Sequence, residues 1–191
     1  MLTGLDQKVR SDRQLRHFVC ACSRRLWHRL TDEARHYVES AERLVGGEAP
    51  DEGIGPVDWG REVPDGPALA RCCLWQDAAY GSPYYYWMEI QEVLSERHGG
   101  DEAAARADLL RDVCGIAFRK HRKAKRGWRT ETVLALARQM YATRDFSVMP
   151  ILADALQDAG CGDEQILSHC RDRKQVHARG CWVVDLILGN R

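Results

Sequence analysis

The amino-acid sequence predicts an all-α fold. Apolar residues recur at helical spacing through long segments, and Ser, Thr or Asp stands at the cap position before several of these segments. No segment keeps the alternating apolar and polar pattern of a strand. We therefore expect a single compact domain over 1–191 with seven to eight helices, one long acidic loop over 48–67 and one basic loop over 115–130.

Caps and glycines define the first two predicted helices. The sequence Ser11-Asp-Arg-Gln14 has the form of a capping box and opens a helix predicted over 12–30. Thr31 can cap a second helix, predicted over 32–45, because its hydroxyl can accept from a free backbone N–H of the first turn. The pair Gly46–Gly47 then ends this helix.

The middle of the chain combines the acidic loop with three shorter predicted helices. Residues 48–67 are rich in glycine, proline and acid, and a loop of that length is unusual in a compact domain. A third helix begins at Pro67 or Ala68, and a fourth begins at Ser82–Pro83 and contains the aromatic run YYYWM. Asp101 can cap a fifth helix over 102–114.

The C-terminal part predicts two further helices, a short helix with a basic turn, and a last apolar segment. Thr130 caps a sixth helix, and Ser147, Pro150 and Gly160 mark the start, first turn and end of a seventh. A short helix from Asp163, the turn RDRKQVHARG and the segment CWVVDLIL follow. The stripe expected to face the core in the seventh helix consists of Val148, Ile151, Leu152, Ala155, Leu156 and Ala159.

Composition and charge limit the classes of function. The chain has 28 basic and 28 acidic residues, so any electrostatic role must be local. No apolar run approaches the roughly 20 residues that span a bilayer, and no apolar signal region is visible, so we expect a cytoplasmic protein without a membrane partner. The eight cysteines form no CxxC pair, and we expect them to be reduced.

Both ends of the chain resemble one family of bacterial proteins. The N-terminal SDRQLRHFVCACSRRLWHRLTD and the C-terminal LADALQDAGC, ILSHCR and HARGCWVVDLILG are similar to signatures of an uncharacterised family associated with short repeat-companion segments. The resemblance covers roughly half of the chain and implies no activity, cofactor or catalytic residue. Relatives have a short uncharged connection where this chain has the basic segment after Phe118, which indicates that this segment belongs to this protein rather than to the family.

The basic segment is the most charged part of the sequence. Seven of the eleven residues from Arg119 to Arg129 are Lys or Arg, and such cations can neutralise phosphates while an aromatic ring stacks on bases. The alternative is a solvated loop whose charge balances the acidic loop of the same molecule. The candidate nucleic-acid contacts are Arg119, Lys120, Arg122, Lys123, Lys125, Arg126, Trp128 and Arg129.

Cysteine and histidine residues near the C-terminus suggest a metal site. The spacing of Cys161, His169, Cys170, His177 and Cys181 could supply the four tetrahedral ligands of a structural zinc ion. His169 and Cys170 point about 100° apart on a helix, so we expect only one of them to bind, and the predicted quartet is Cys161, Cys170, His177 and Cys181. The alternative is that these cysteines fill small gaps in the core.

No pattern in the sequence specifies a reaction. The chain contains no G-x-S-x-G, no H-E-x-x-H and no glycine-rich phosphate loop, so we leave the question of an enzyme open and favour a non-enzymatic role. The function predicted first is a helical interaction or adaptor module that binds another protein. The alternative is an accessory nucleic-acid-binding protein that acts through residues 119–129 and holds a structural zinc near its C-terminus.

Overall fold

The computed structural model describes residues 12–47, 104–113, 115 and 124–190. The predicted acidic loop, the predicted third and fourth helices and the first half of the basic loop lie outside the described residues. The described residues form seven α-helices and two short 3-10 helices, with no strand among them, which confirms the all-α class. None of these helices is both long and apolar enough to cross a lipid bilayer.

The chain divides into two compact units, Met1–Ala107 and Asp108–Arg191, and each is described by itself. The described part of the first unit contains helix α1 (Asp12–Arg25), a 3-10 helix (Trp27–Arg29) and helix α2 (Asp32–Val45). Helix α1 is shorter than predicted, because Leu26 N donates to Ser23 O at 3.1 Å and starts a tighter turn. The predicted bounds and the Thr31 cap of α2 are confirmed, with Thr31 Oγ1 accepting from Ala34 N at 3.2 Å.

Helices α1 and α2 pack together through buried apolar side chains and one buried ion pair. Phe18 of α1 and Val38 of α2 are fully buried. The Arg24 guanidinium donates to both carboxylate oxygens of the buried Glu42, at 2.7 and 3.1 Å, and lies 3.8 Å from the centre of the Trp27 ring. Two parallel hydrogen bonds of this kind fix the rotation of one helix against the other.

The second unit begins inside helix α3, which the structure describes over residues 104–113. After a 3-10 helix (Arg126–Trp128) the chain forms α4 (Glu131–Thr143), α5 (Met149–Asp158), α6 (Glu164–Arg171) and α7 (Trp182–Leu188). Helix α5 packs against α4 and α6, and α4 and α6 both pack against α7. The largest fully buried side chains of their common core are Met140, Met149, Leu152, Leu156, Ile166 and Ile187.

The predicted apolar face of α5 is confirmed in part: Leu152 and Leu156 are buried and Val148 and Ala155 pack against the core, but Ile151 does not belong to the buried face. Ile151 is 56% exposed, whereas Met149 is 1% exposed. The buried face consists of Met149, Leu152, Ala153 and Leu156, which keeps helical spacing but lies further round the helix. Ser147 does not cap the helix, because the N-cap is Val148 and no side chain caps it. Pro150 in the first turn and Gly160 at φ +80° are placed as predicted.

Candidate metal centre

Four side chains of the second unit converge on one buried point. Asp112 comes from α3, His169 from α6, His177 from the loop after α6, and Cys181 from the residue before α7. One potential ligand atom from each residue lies within 4.8 Å of the other three. The Asp112 carboxylate and the Cys181 thiol are buried, and both imidazoles are largely buried.

The distances between these atoms can be compared with the edges of a metal tetrahedron. Asp112 Oδ1 lies 2.7 Å from His177 Nδ1 and 3.2 Å from His169 Nε2. Cys181 Sγ lies 3.3 Å from His169 Nε2 and 3.9 Å from His177 Nδ1. Usual zinc bond lengths give edges of about 3.3 Å between N and O and about 3.6 Å between N and S. Three of these distances are close to those edges, and only the one from Asp112 to His177 is markedly shorter.

The orientation of the two imidazoles distinguishes this group from a catalytic triad. In a triad, the histidine contacts the nucleophile with one ring nitrogen and the carboxylate with the other. Here His177 faces both Asp112 and Cys181 with Nδ1, and His169 faces the same two residues with Nε2. All four donor atoms therefore point inward, which is the arrangement of ligands around an ion.

Backbone and ring contacts fix the ligands from outside. Asp112 Oδ2 accepts a hydrogen bond from Ala178 N at 2.9 Å, which leaves Oδ1 directed at the imidazoles. The Trp182 ring lies 5.1 Å from the His169 ring, and the two imidazole centroids are 4.9 Å apart with their planes at 80°. Such outer contacts orient metal ligands and tune their affinity.

Gly115 also contributes to the contacts that hold the ligands from outside, because it lies against Trp182. A Cβ atom at this position would come within 2.8 Å of Trp182 Cβ and Cγ, and its φ of +62° disfavours any other residue. Gly115 therefore lets the backbone approach the indole that packs on His169.

The electrostatics of the group suit a cation. Burial raises the pKa of Asp112, but hydrogen bonds and charge interactions with His169 and His177 outweigh burial, and the net pKa is lowered. Burial raises the pKa of Cys181 well above its usual range, with a further contribution from the Asp112 charge. The thiol is therefore protonated without a metal, and an ion that binds it displaces that proton.

His177 Nε2 is buried and has no hydrogen-bond partner among the described residues. An unpaired buried nitrogen costs free energy and does not hold the ring in place. The polar contacts that orient the ring are therefore those of its other nitrogen. That nitrogen is Nδ1, which points at Asp112 and Cys181.

The structure brings together two of the four predicted zinc ligands. His177 and Cys181 belong to the converging group, whereas Cys161 and Cys170 lie buried in the apolar core of the unit. Burial raises the pKa of Cys170 to about 12, as expected for a thiol surrounded by apolar side chains. As predicted, His169 and Cys170 point in different directions from helix α6. His169, however, is the residue that faces the site.

Asp112 was missed because no sequence signal indicates it. It is 57 residues before His169 in the chain and carries no spacing motif with the other ligands. An aspartate on an amphipathic helix usually faces water, and only the packing of α3 places this one inside the unit.

The structure describes four of the eight candidate nucleic-acid contacts, and Arg119, Lys120, Arg122 and Lys123 lie outside the described residues. Lys125 and Arg126 are exposed. Trp128 is 8% exposed and belongs to the core, with the Lys125 ammonium 5.4 Å from its ring centre. Arg129 donates to Leu188 O at 3.2 Å, in the last turn of α7. A ring buried in this way does not offer a free face for a base.

Comparison of the chain with protein-family models, curated proteins and solved structures gives no significant match. The resemblance to the bacterial family with repeat-companion segments therefore stays a prediction. The argument for function depends on the geometry of the four converging side chains.

Proposed function

We propose that the second unit binds one Zn²⁺ ion through Asp112, His169, His177 and Cys181, and that the ion has a structural role. The observation that carries this proposal is the convergence of one oxygen, two nitrogens and one sulfur at distances close to tetrahedral edges. Each of these atom types is an ordinary zinc ligand.

The mixed ligand set favours zinc over harder and softer cations. Mg²⁺ and Ca²⁺ prefer six or more oxygen ligands, and this site offers one carboxylate. Cu(I) and iron–sulfur clusters favour thiolate-rich sites, and among the described residues one thiol belongs to this group. Two imidazoles, one thiolate and one carboxylate in tetrahedral arrangement match a borderline d¹⁰ ion.

Four protein ligands favour a structural role over a catalytic one. Catalytic zinc sites usually have three protein ligands and keep the fourth position for water or substrate. Here the fourth position is filled by protein, and the ligands come from α3, α6, the loop and the start of α7. An ion at this point links segments that are distant in sequence, so its binding free energy adds to the stability of the unit.

Binding requires one local adjustment. Asp112 Oδ1 and His177 Nδ1 are 2.7 Å apart, which is a hydrogen bond in the metal-free arrangement. A zinc ion between them requires a separation of about 3.3 Å. We expect Asp112 or His177 to shift by roughly half an ångström when the ion binds.

Cobalt substitution tests the proposal and separates it from the ligand set predicted from sequence. Tetrahedral Co²⁺ absorbs visible light, and a thiolate ligand adds a charge-transfer band. Cys181→Ser should remove that band, whereas Cys170→Ser, which is matched in residue type and burial, should leave it unchanged. A band that weakens but persists in both variants would support the predicted quartet instead, because that quartet keeps two thiolates when one cysteine is replaced. Absence of tetrahedral Co²⁺ bands in the wild-type protein would overturn the proposal.

The roles in protein interaction and in nucleic-acid binding stay predictions. Both roles need exposed side chains, and Trp128 is buried. Neither role conflicts with a structural ion in the core of the second unit.

A further inference from the structure

We infer that Arg179 is a positioning residue for the metal centre, an inference that rests on the proposed zinc site. Arg179 lies between two of the ligands, His177 and Cys181, in the chain. Its side chain attaches the turn that carries both ligands to the end of helix α4.

The turn itself is tight. Cys181 N donates to Ala178 O at 2.9 Å, which closes a four-residue turn with Arg179 and Gly180 in its centre. Gly180 has a φ of +89°, the conformation that a type II turn requires at its third residue. His177 precedes this turn and Cys181 ends it, so the placement of the turn determines the distance between the two ligands.

The guanidinium fixes the turn at two points on α4. Arg179 Nε donates to Tyr141 O at 2.5 Å, and Nη2 donates to Ala142 O at 3.3 Å. These carbonyls belong to the last turn of the helix, where carbonyl oxygens lack intrahelical partners and carry partial negative charge. The guanidinium carbon also lies 5.7 Å from the centre of the Tyr141 ring. Two donors in a planar fork define a direction, which a single ammonium does not.

Besides the contact between His177 and Asp112, the same loop donates two hydrogen bonds to α3. Gln175 Nε2 donates to Asp108 O at 3.2 Å, and Ala178 N donates to Asp112 Oδ2 at 2.9 Å. One side of the loop is therefore fixed to the helix that supplies the carboxylate ligand. Arg179 is the link from the loop to α4, which supplies no ligand.

Arg179 thus acts on the ion through the position of His177 and Cys181. Without it, the turn loses two hydrogen bonds on one side, and the two ligands must be ordered when the metal binds. Outer contacts of metal ligands typically change affinity by about 10- to 100-fold. We expect a change of this size for Arg179→Ala.

Arg129 provides a matched control. It also donates to a carbonyl in the last turn of a helix, Leu188 O at 3.2 Å, but this is the end of α7 opposite to Cys181. Arg129→Ala removes a comparable charge and a hydrogen bond without touching the turn that carries the ligands.

The experiment measures the zinc dissociation constant of the full chain by competition with a chromophoric chelator. We expect Arg179→Ala to raise it at least about tenfold and Arg129→Ala to change it less than about twofold. Arg179→Lys keeps the charge and one donor, and we expect an intermediate constant. Helical circular dichroism of each metal-free variant checks that it folds. If Arg179→Ala does not fold, the dissociation constant of Arg179→Lys tests the inference instead.

The intensity of the Co²⁺ bands supplies a readout that a loss of helix stability alone would not change. A displaced turn distorts the tetrahedron, so Arg179→Ala should alter these bands even when the site is saturated. Unchanged affinity and unchanged bands in Arg179→Ala or Arg179→Lys would overturn this inference and leave the zinc site intact. Failure of the wild-type protein to bind either ion would overturn the site itself.

Discussion

Asp112 is the residue on which the centre depends most. Its Oδ1 contacts both imidazoles, and its Oδ2 accepts from the loop backbone at Ala178. The carboxylate therefore orders the two histidines before a metal binds, and its lowered pKa keeps it charged beside the protonated thiol.

We expect Asp112→Asn to weaken zinc binding at least about tenfold, because the amide keeps the shape of the side chain but loses its charge. Competition with a chelator measures the change. Asp145→Asn is the matched control, since Asp145 is exposed and outside the centre. An equal loss of affinity in the two variants would contradict the role of Asp112.

At the scale of single residues, the sequence predicted two ligands of four. His177 and Cys181 were found because their spacing around a turn is informative. His169 and Cys170 are neighbours on one helix, and only the packing of α6 decides which of them faces the site. Asp112 was beyond sequence reasoning, because its contacts are made across 57 or more residues of chain.

At the scale of helices, side-chain caps were predicted well where a hydroxyl or carboxylate precedes a polar first turn. Thr31 and Thr130, which were predicted as caps, each accept from a backbone N–H of the helix they precede, and Asp163, predicted as a helix start, does so as well. The rotation of α5 was not predictable with the same accuracy, because apolar residues occupy more than half of its surface and periodicity alone does not choose among them.

We expect Thr130→Ala to lower the free energy of unfolding by about 1 kcal/mol, because Thr130 Oγ1 accepts from Val133 N at 3.3 Å and caps α4. Thr132→Ala is the control, since Thr132 is exposed inside the same helix and caps nothing. Urea unfolding of the metal-free protein measures both. A loss as large in Thr132→Ala would contradict the role of the cap.

The turn before α5 predicts a dependence on pH. Hydrogen bonds from Ser147, first from its side chain and then from its backbone, lower the pKa of Asp145 below its usual value. A carboxyl whose pKa is lower in the folded state stabilises the fold above its unfolded pKa, and this contribution disappears as the pH falls through the folded pKa.

We therefore expect wild-type protein to be more stable than Asp145→Ala at neutral pH, and this difference to shrink below about pH 4. The comparison uses the urea unfolding of both metal-free proteins across acid pH. A difference that stays constant with pH would show that the charge of Asp145 contributes nothing.

At the scale of the whole molecule, the four side chains that could hold a metal ion come from four segments of the second unit. The all-α class and most helix bounds in the described residues follow from local sequence, but the point where the four ligands meet depends on how the helices pack. Because the sequence has eight cysteines, it favoured a ligand set rich in thiols. The group that converges among the described residues instead contains one thiol, two imidazoles and one carboxylate.

We expect zinc to raise the thermal stability of the full chain. At a free concentration of about 100 times the dissociation constant, zinc adds about 2.7 kcal/mol to the free energy of unfolding. A thermal melt with zinc or with excess chelator measures the difference, which a tenfold loss of affinity in Asp112→Asn should reduce to about half. An equal shift in that variant would indicate binding elsewhere.

Zinc K-edge X-ray absorption of the metal-loaded protein tests the central claim most directly, because it counts the sulfur ligands of the ion. The centre described here predicts one sulfur at about 2.3 Å and three nitrogen or oxygen ligands at about 2.0–2.1 Å. Three sulfurs with one nitrogen would instead identify Cys161, Cys170 and Cys181 with His177 as the ligands. A shell of six oxygens, or no bound zinc, would contradict the existence of the site.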